Sequence, residues 1–91
     1  MSTPTPPTGE APVREIHDYG DLTAVAIAVR ASGAVVVDFR AVDDALARRV
    51  ADFCSGLGFG IGTSPFRLAE RVYFLSGQRT PQGAEWGRYT Q

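Results

Sequence analysis

Lysine is absent from this chain. All nine basic residues are arginines, set against ten carboxylates for a net charge of −1. No block of positive charge is built, which argues against a dedicated nucleic-acid binder, whose affinity rests on neutralising phosphates. Cysteine and histidine occur once each, as Cys54 and His17. A single cysteine excludes an intrachain disulfide and a thiolate-cluster metal site, and a lone histidine excludes a His-pair site. No metal or cofactor is expected. No apolar run approaches the ~18 residues of a membrane span. The N-terminus shows neither the basic stretch nor the apolar stretch of a signal peptide. The expected address is the cytoplasm.

The remaining composition divides the 91 residues into three parts. Residues 1–12, "MSTPTPPTGEAP", are rich in Pro and Thr and have no apolar period, so they are expected to be disordered. Residues 77–91, "GQRTPQGAEWGRYTQ", read as a flexible tail in which Trp86 and Tyr89 are candidate sticky contacts. The folded domain is expected at 13–76. A domain of that size buries only about 60 % of its unfolded surface, so self-association is expected to support it.

Within that domain "VREIHDY" alternates as a first strand. "DLTAVAIAVRASG" fits both a helical face (Leu22, Val25, Ala26, Val29) and a strand (Val25, Ile27, Val29). Its alanines favour helix, with Asp21 as N-cap and Gly33 as the stop. "AVVVDF", Ala34 to Phe39, is a continuous β-branched run suited to a buried strand. "AVDDALARRVADFCSG" carries the apolar stripe Val42, Leu46, Val50, Phe53, Cys54 and Leu57 of a second helix. Asp43 or Asp44 caps its start, Asp44 and Arg48 are placed for an i, i+4 pair, and Gly56 is read as its end. "FRLAERVYFL" gives two strands around a turn at Ala69–Glu70–Arg71. The expected fold is a small α/β (α+β) sandwich, a mixed sheet with two helices on one face in the order β-α-β-α-β-β.

"SGLGFGIGTSPF" places a glycine at every second position from Gly56 to Gly62. It follows a helix, its spacing is not Gly-x-Gly-x-x-Gly, and no Gly-Lys-Ser/Thr end exists, so a phosphate loop is excluded. As a strand it would put Leu57, Phe59 and Ile61 on one face. Gly58, Gly60 and Gly62 would then leave the other face bare for the close approach of another backbone. The alternative is a simple bend or bulge. On the bare-face reading, Gly58→Asp or Gly62→Asp should disturb self-association more than folding.

The run "AVVVDFRAVDDALARRVADFCSGLGFGIGTSPFRLAERVYFLS" resembles the core of the SepF family of bacterial cell-division proteins. The likeness lies in the order of Val35–Asp38, Asp43–Asp44, Ala47–Arg49, Asp52–Phe53, Ser55–Gly56, Phe59–Gly62 and Val72–Leu75. It extends more loosely to Val13, and it implies helix for the segment near Leu22. The resemblance implies a dimerising, non-enzymatic sandwich at the division septum. Such a domain binds the C-terminal tail of the tubulin homologue FtsZ and associates with other SepF-like chains, as a homodimer or a higher assembly. It also implies that Arg67 and Tyr73 contact the FtsZ tail and that Gly56 serves self-association. Gly62 matches the first of a family glycine pair whose second member is Thr63 here. The positions of Gly58 and Gly60 carry side chains in the family. The family's amphipathic membrane helix has no counterpart in "MSTPTPPTGEAPV", so no membrane anchor is expected of this chain.

Simpler readings stand beside these. Cys54 lies on the apolar stripe and reads as a buried thiol. His17 is a strand residue, Asp43–Asp44 a helix cap, and Arg48 and Arg49 a solvated helix face with interface use as the alternative. Arg67 is otherwise a surface residue and Tyr73 a core residue. No nucleophile, base and orienter can be assembled, so no enzyme is expected. "VVVDFRAVDDALARRVADF" also resembles the strand-loop-helix of STAS-type regulatory switches. Ala45 and Leu46, however, follow the aspartates where such a switch needs a phosphorylatable hydroxyl.

Overall fold

The computed structural model describes residues 10–89. Most of the segment expected to be disordered lies outside the described residues, as do the last two residues. In chain order the elements are β1 (Val13–Glu15), a 3-10 turn (Tyr19–Asp21), α1 (Leu22–Ser32), β2 (Ala34–Asp38), α2 (Asp44–Ile61), β3 (Phe66–Ala69), β4 (Val72–Ser76) and α3 (Gly83–Tyr89). The strands form one mixed sheet in the order β1-β2-β4-β3. β1 runs parallel to β2, while β4 is antiparallel to both β2 and β3.

The β-branched run makes β2 the strand in which every residue is buried, and its pleat divides the core in two. Val35 and Val37 point to one face, where α1 (Leu22, Val25, Val29) and α2 (Val50, Cys54) close over them with Leu75. Ala34 and Val36 point to the other face and pack with Leu68, Val72 and Phe74. Two helices therefore share one face, as the sequence predicts. The ambiguous segment is helix, and Gly33 ends it in the left-handed region at φ 79°. Asp43 caps α2, its carboxylate accepting from the Leu46 N–H at 2.8 Å.

The glycine stretch is helical, not extended. α2 runs on through Gly56, Gly58 and Gly60 to Ile61 and stops at Gly62, whose φ of 86° suits glycine. The period of the stripe explains this. Leu57 and Ile61 continue Val50, Phe53 and Cys54 at helical spacing, and both pack on the core. Burial along a 3.6-residue period outweighs the ~1 kcal/mol that each helical glycine costs.

The expected Asp44–Arg48 pair does not form. Asp44 instead meets Arg71, in the turn between β3 and β4. Arg71 adopts φ 62°, unusual for a residue with a side chain. It is held from both ends. Its carbonyl accepts from the Phe39 N–H at 2.9 Å, and its guanidinium donates to the Val42 carbonyl at 2.8 Å. The hairpin turn is thereby tied to the start of α2.

Within the stretch read as a tail, Gly83–Tyr89 forms α3 against the second face of the sheet, where Tyr89 packs on the core. Its anchor is Glu85, only 2 % exposed. That carboxylate accepts from the N–H groups of Ala11 (2.6 Å) and Gln82 (2.8 Å) and from the Arg79 guanidinium at 2.8 and 2.9 Å. Arg79 also lies 5.0 Å over the Phe74 ring. One side chain thus joins the approach to β1 with the exit from β4.

Candidate protein-interaction site

Arg67 and Tyr73 are cross-strand partners in the β3–β4 ladder, so their side chains share one face of the sheet. It is the face that carries α1 and α2, since Tyr73 packs against the core beneath those helices. The Tyr73 ring is half-buried and meets Phe39 edge-to-face, with centroids 5.0 Å apart. This packing holds the ring in one place. Arg67 stands on the edge strand and is exposed. Among the described residues it makes no hydrogen bond and no ion pair. The register between Arg67 and Ala69 is shifted, which bends the edge strand locally. An uncommitted guanidinium beside an oriented aromatic is suited to a peptide carrying acidic and apolar side chains.

The four glycines are not equivalent. Gly56 and Gly60, one turn apart on α2, are exposed, and a methyl group at either would meet nothing within 4 Å. Phe59 beside them is 86 % exposed. Gly58 is turned inward, where an added Cβ would lie 3.1 Å from the Thr63 carbonyl oxygen and 3.3 Å from Leu75 and Pro65. Gly62 ends the helix. The strand reading put Gly58, Gly60 and Gly62 on one bare face. The helical turn of about 100° per residue separates them instead. The expectation that Gly58→Asp would spare folding is reversed.

The rest of the surface offers little chemistry. Burial pushes the Cys54 thiol up to about 12, which keeps it protonated at neutral pH. His17 lies on the surface, 3.4 Å from Glu15. An open cleft of about 440 Å³ lies between Arg40, Arg71 and Tyr89, but both arginines are already paired with aspartates. Among the described residues no helix is long and apolar enough to cross a membrane.

The side chains that sequence reading missed are Arg71 and Glu85. Neither has a local signal, because their partners lie 27 and up to 74 positions away.

Comparison with known proteins places these surfaces in context. The family model described as cell division protein SepF matches residues 13–80. A protein of that name from Acidothermus cellulolyticus is 32 % identical over 90 residues, covering 93 % of this chain and 51 % of the relative. Its namesake from Bifidobacterium animalis subsp. lactis is 40 % identical over 75 residues, covering 80 % and 48 %. The one from Lactiplantibacillus plantarum is 32 % identical over 71 residues, covering 70 % and 51 %. The chain spans about half the length of these curated relatives.

Proposed function

The chain belongs to the SepF family of cell-division proteins, and from that premise we propose that it is a non-enzymatic adaptor at the division septum. It binds the C-terminal tail of FtsZ, associates with itself or other SepF-like chains, and so modulates assembly of the Z-ring. The observation that carries this reading is the Arg67–Tyr73 pair, an unpaired cation and a braced aromatic side by side on the edge of the sheet. Tyr73 supplies apolar area at little entropic cost, and Arg67 discriminates for acidic residues.

Fluorescence anisotropy of a labelled FtsZ-tail peptide tests it. Micromolar binding is expected, with Arg67→Glu weakening it at least tenfold, since reversal replaces attraction by like-charge repulsion. Binding by Arg67→Glu equal to that of the parent would exclude this site.

Self-association is assigned to the outer face of α2, around Gly56, Gly60 and Phe59. In the isolated chain each exposed helical glycine costs about 0.5–1 kcal/mol relative to alanine. No neighbour within the described chain requires either to be small. A partner helix approaching closely over them accounts for both the bare backbone and the exposed ring. Gly60→Ala should therefore raise thermal stability by about 0.5–1 kcal/mol while lowering the mass measured by light scattering at a given concentration. A stabilised variant of unchanged mass would remove Gly60 from the interface.

A further inference from the structure

Phe59, 86 % exposed, is the most exposed large apolar side chain among the described residues. On a helix surface its neighbours are the residues three and four positions away. Here they are Ser55, Gly56, Gly62 and Thr63, while Gly58 and Gly60 adjoin it in the chain. A Cβ added at Gly56, Gly60 or Gly62 would meet nothing within 4 Å. The ring therefore stands alone on a cleared turn, with no side chain beside it to keep it from entering a recess in another molecule.

Such a recess lies at the same end of α2. It has a volume of about 290 Å³ and is lined by Val29, Arg30, Gly33, Ile61, Gly77 and Gln78, where the last turns of α1 and α2 meet the exit from β4. Val29 and Ile61 are its apolar walls. Its lip is held by hydrogen bonds. The Gly33 N–H donates to the Val29 carbonyl at 2.9 Å. The Ser76 hydroxyl donates to the Gly33 carbonyl at 2.7 Å and accepts from the Gln78 N–H at 3.0 Å. The chain leaving β4 passes so close to α2 that a Cβ on Gly77 would lie 2.9 Å from the Ile61 carbonyl oxygen. The recess is thus formed in advance, which lowers the cost of filling it.

Its chemistry selects the occupant. The single charge on its lining is Arg30, which makes no hydrogen bond, ion pair or ring contact among the described residues. The negative ends of two helices converge here, so a carboxylate is disfavoured. An aromatic ring satisfies both the apolar walls and the guanidinium. The fold already uses this pairing three times, with Arg40 over Tyr89, Arg49 over Tyr19 and Arg79 over Phe74. Phe59 is the exposed ring left without a cation. It cannot reach the recess of its own chain. At about 100° per residue, Phe59 and Ile61 point to opposite sides of α2.

Resting on the reading of α2 as the self-association face, we propose that Phe59 of one copy seats in this recess of a second copy. The ring lies between Val29 and Ile61, with Arg30 over its face. The cleared turn around Phe59 lets the helix ends of the second copy close over it. Each copy carries one ring and one recess at the same end of α2, so two copies exchange rings about a two-fold axis and close as a dimer.

Sedimentation velocity over a dilution series tests this. Phe59→Ala should leave the circular dichroism spectrum unchanged and raise the dimer dissociation constant at least about tenfold. Arg30→Ala should raise it about two- to fivefold, as for an exposed cation–π contact, and add nothing in a Phe59→Ala background. Gln78→Trp, at an exposed position, fills the recess and should weaken association as Phe59→Ala does. A mixture is the sharpest sample. Phe59→Ala keeps its recess and Gln78→Trp keeps its ring, so the two together should dimerise more tightly than either alone. If Phe59→Ala weakens association while Arg30→Ala and Gln78→Trp match the parent, the recess is overturned and the α2 face survives. Association of Phe59→Ala equal to that of the parent overturns the ring exchange. A parent chain that is monomeric at every concentration removes the α2 face as well.

Discussion

Glu85→Gln is expected to lower stability at pH 7 by about 3 kcal/mol, the free energy of a carboxyl shifted by some two and a half pH units. Burial alone would push this carboxyl up. The Arg79 guanidinium and the N–H groups of Gln82 and Ala11 outweigh it and bring the group from an ordinary 4.5 to about 2. The folded state therefore favours the ionised form. Its contribution is complete above about pH 4.5 and is lost as pH falls towards 2. Glutamine keeps the shape but turns a donor towards Arg79 and the two backbone N–H groups. Thermal melts from pH 2 to 7 should show the variant melting about 15 °C lower at neutral pH, with the two proteins converging in acid. Parallel curves across the whole range would mean that Glu85 does not hold α3 to the sheet.

Gly58→Asp should be the most damaging of the glycine substitutions, costing more than about 3 kcal/mol. The new side chain would start 3.1 Å from a carbonyl oxygen and 3.3 Å from two apolar side chains. Its charge would be buried with no cation beside it. Urea titration of monomeric protein measures the loss. Gly56→Asp, on the open side of the same helix, provides the contrast, since its carboxylate stays in water and should cost the fold little. Equal midpoints for the two variants would contradict the inward placement of Gly58.

Those two glycines also show what could be read from sequence. Regular burial patterns were legible: the β-branched run of β2, the stripe of α2 as far as Leu57, the Gly33 stop, and the pairing of "FRLA" with "VYFLS". Glycine at alternate positions imitates a strand, because a missing side chain carries no evidence of which face is buried. The informative residues were Leu57 and Ile61, which keep the helical period. α3 was illegible for a different reason. Seven residues containing Gly87 have little helical stability of their own, and α3 is held by Glu85 through contacts distant in sequence. Arg67 and Tyr73 were placed through family resemblance. That they share a face follows from strand register.

The Glu85 clasp has one more consequence. Ala11 and Tyr89 both pack on the second face of the sheet, and Glu10 and Arg88 meet there at 2.5 Å. The polypeptide thus enters and leaves the domain on the side away from α2. An array joined through α2 would be two-sided. Its joints would lie in one layer, and every connection to flanking sequence would emerge from the opposite surface. Cargo fused at either end would then decorate that surface without obstructing assembly.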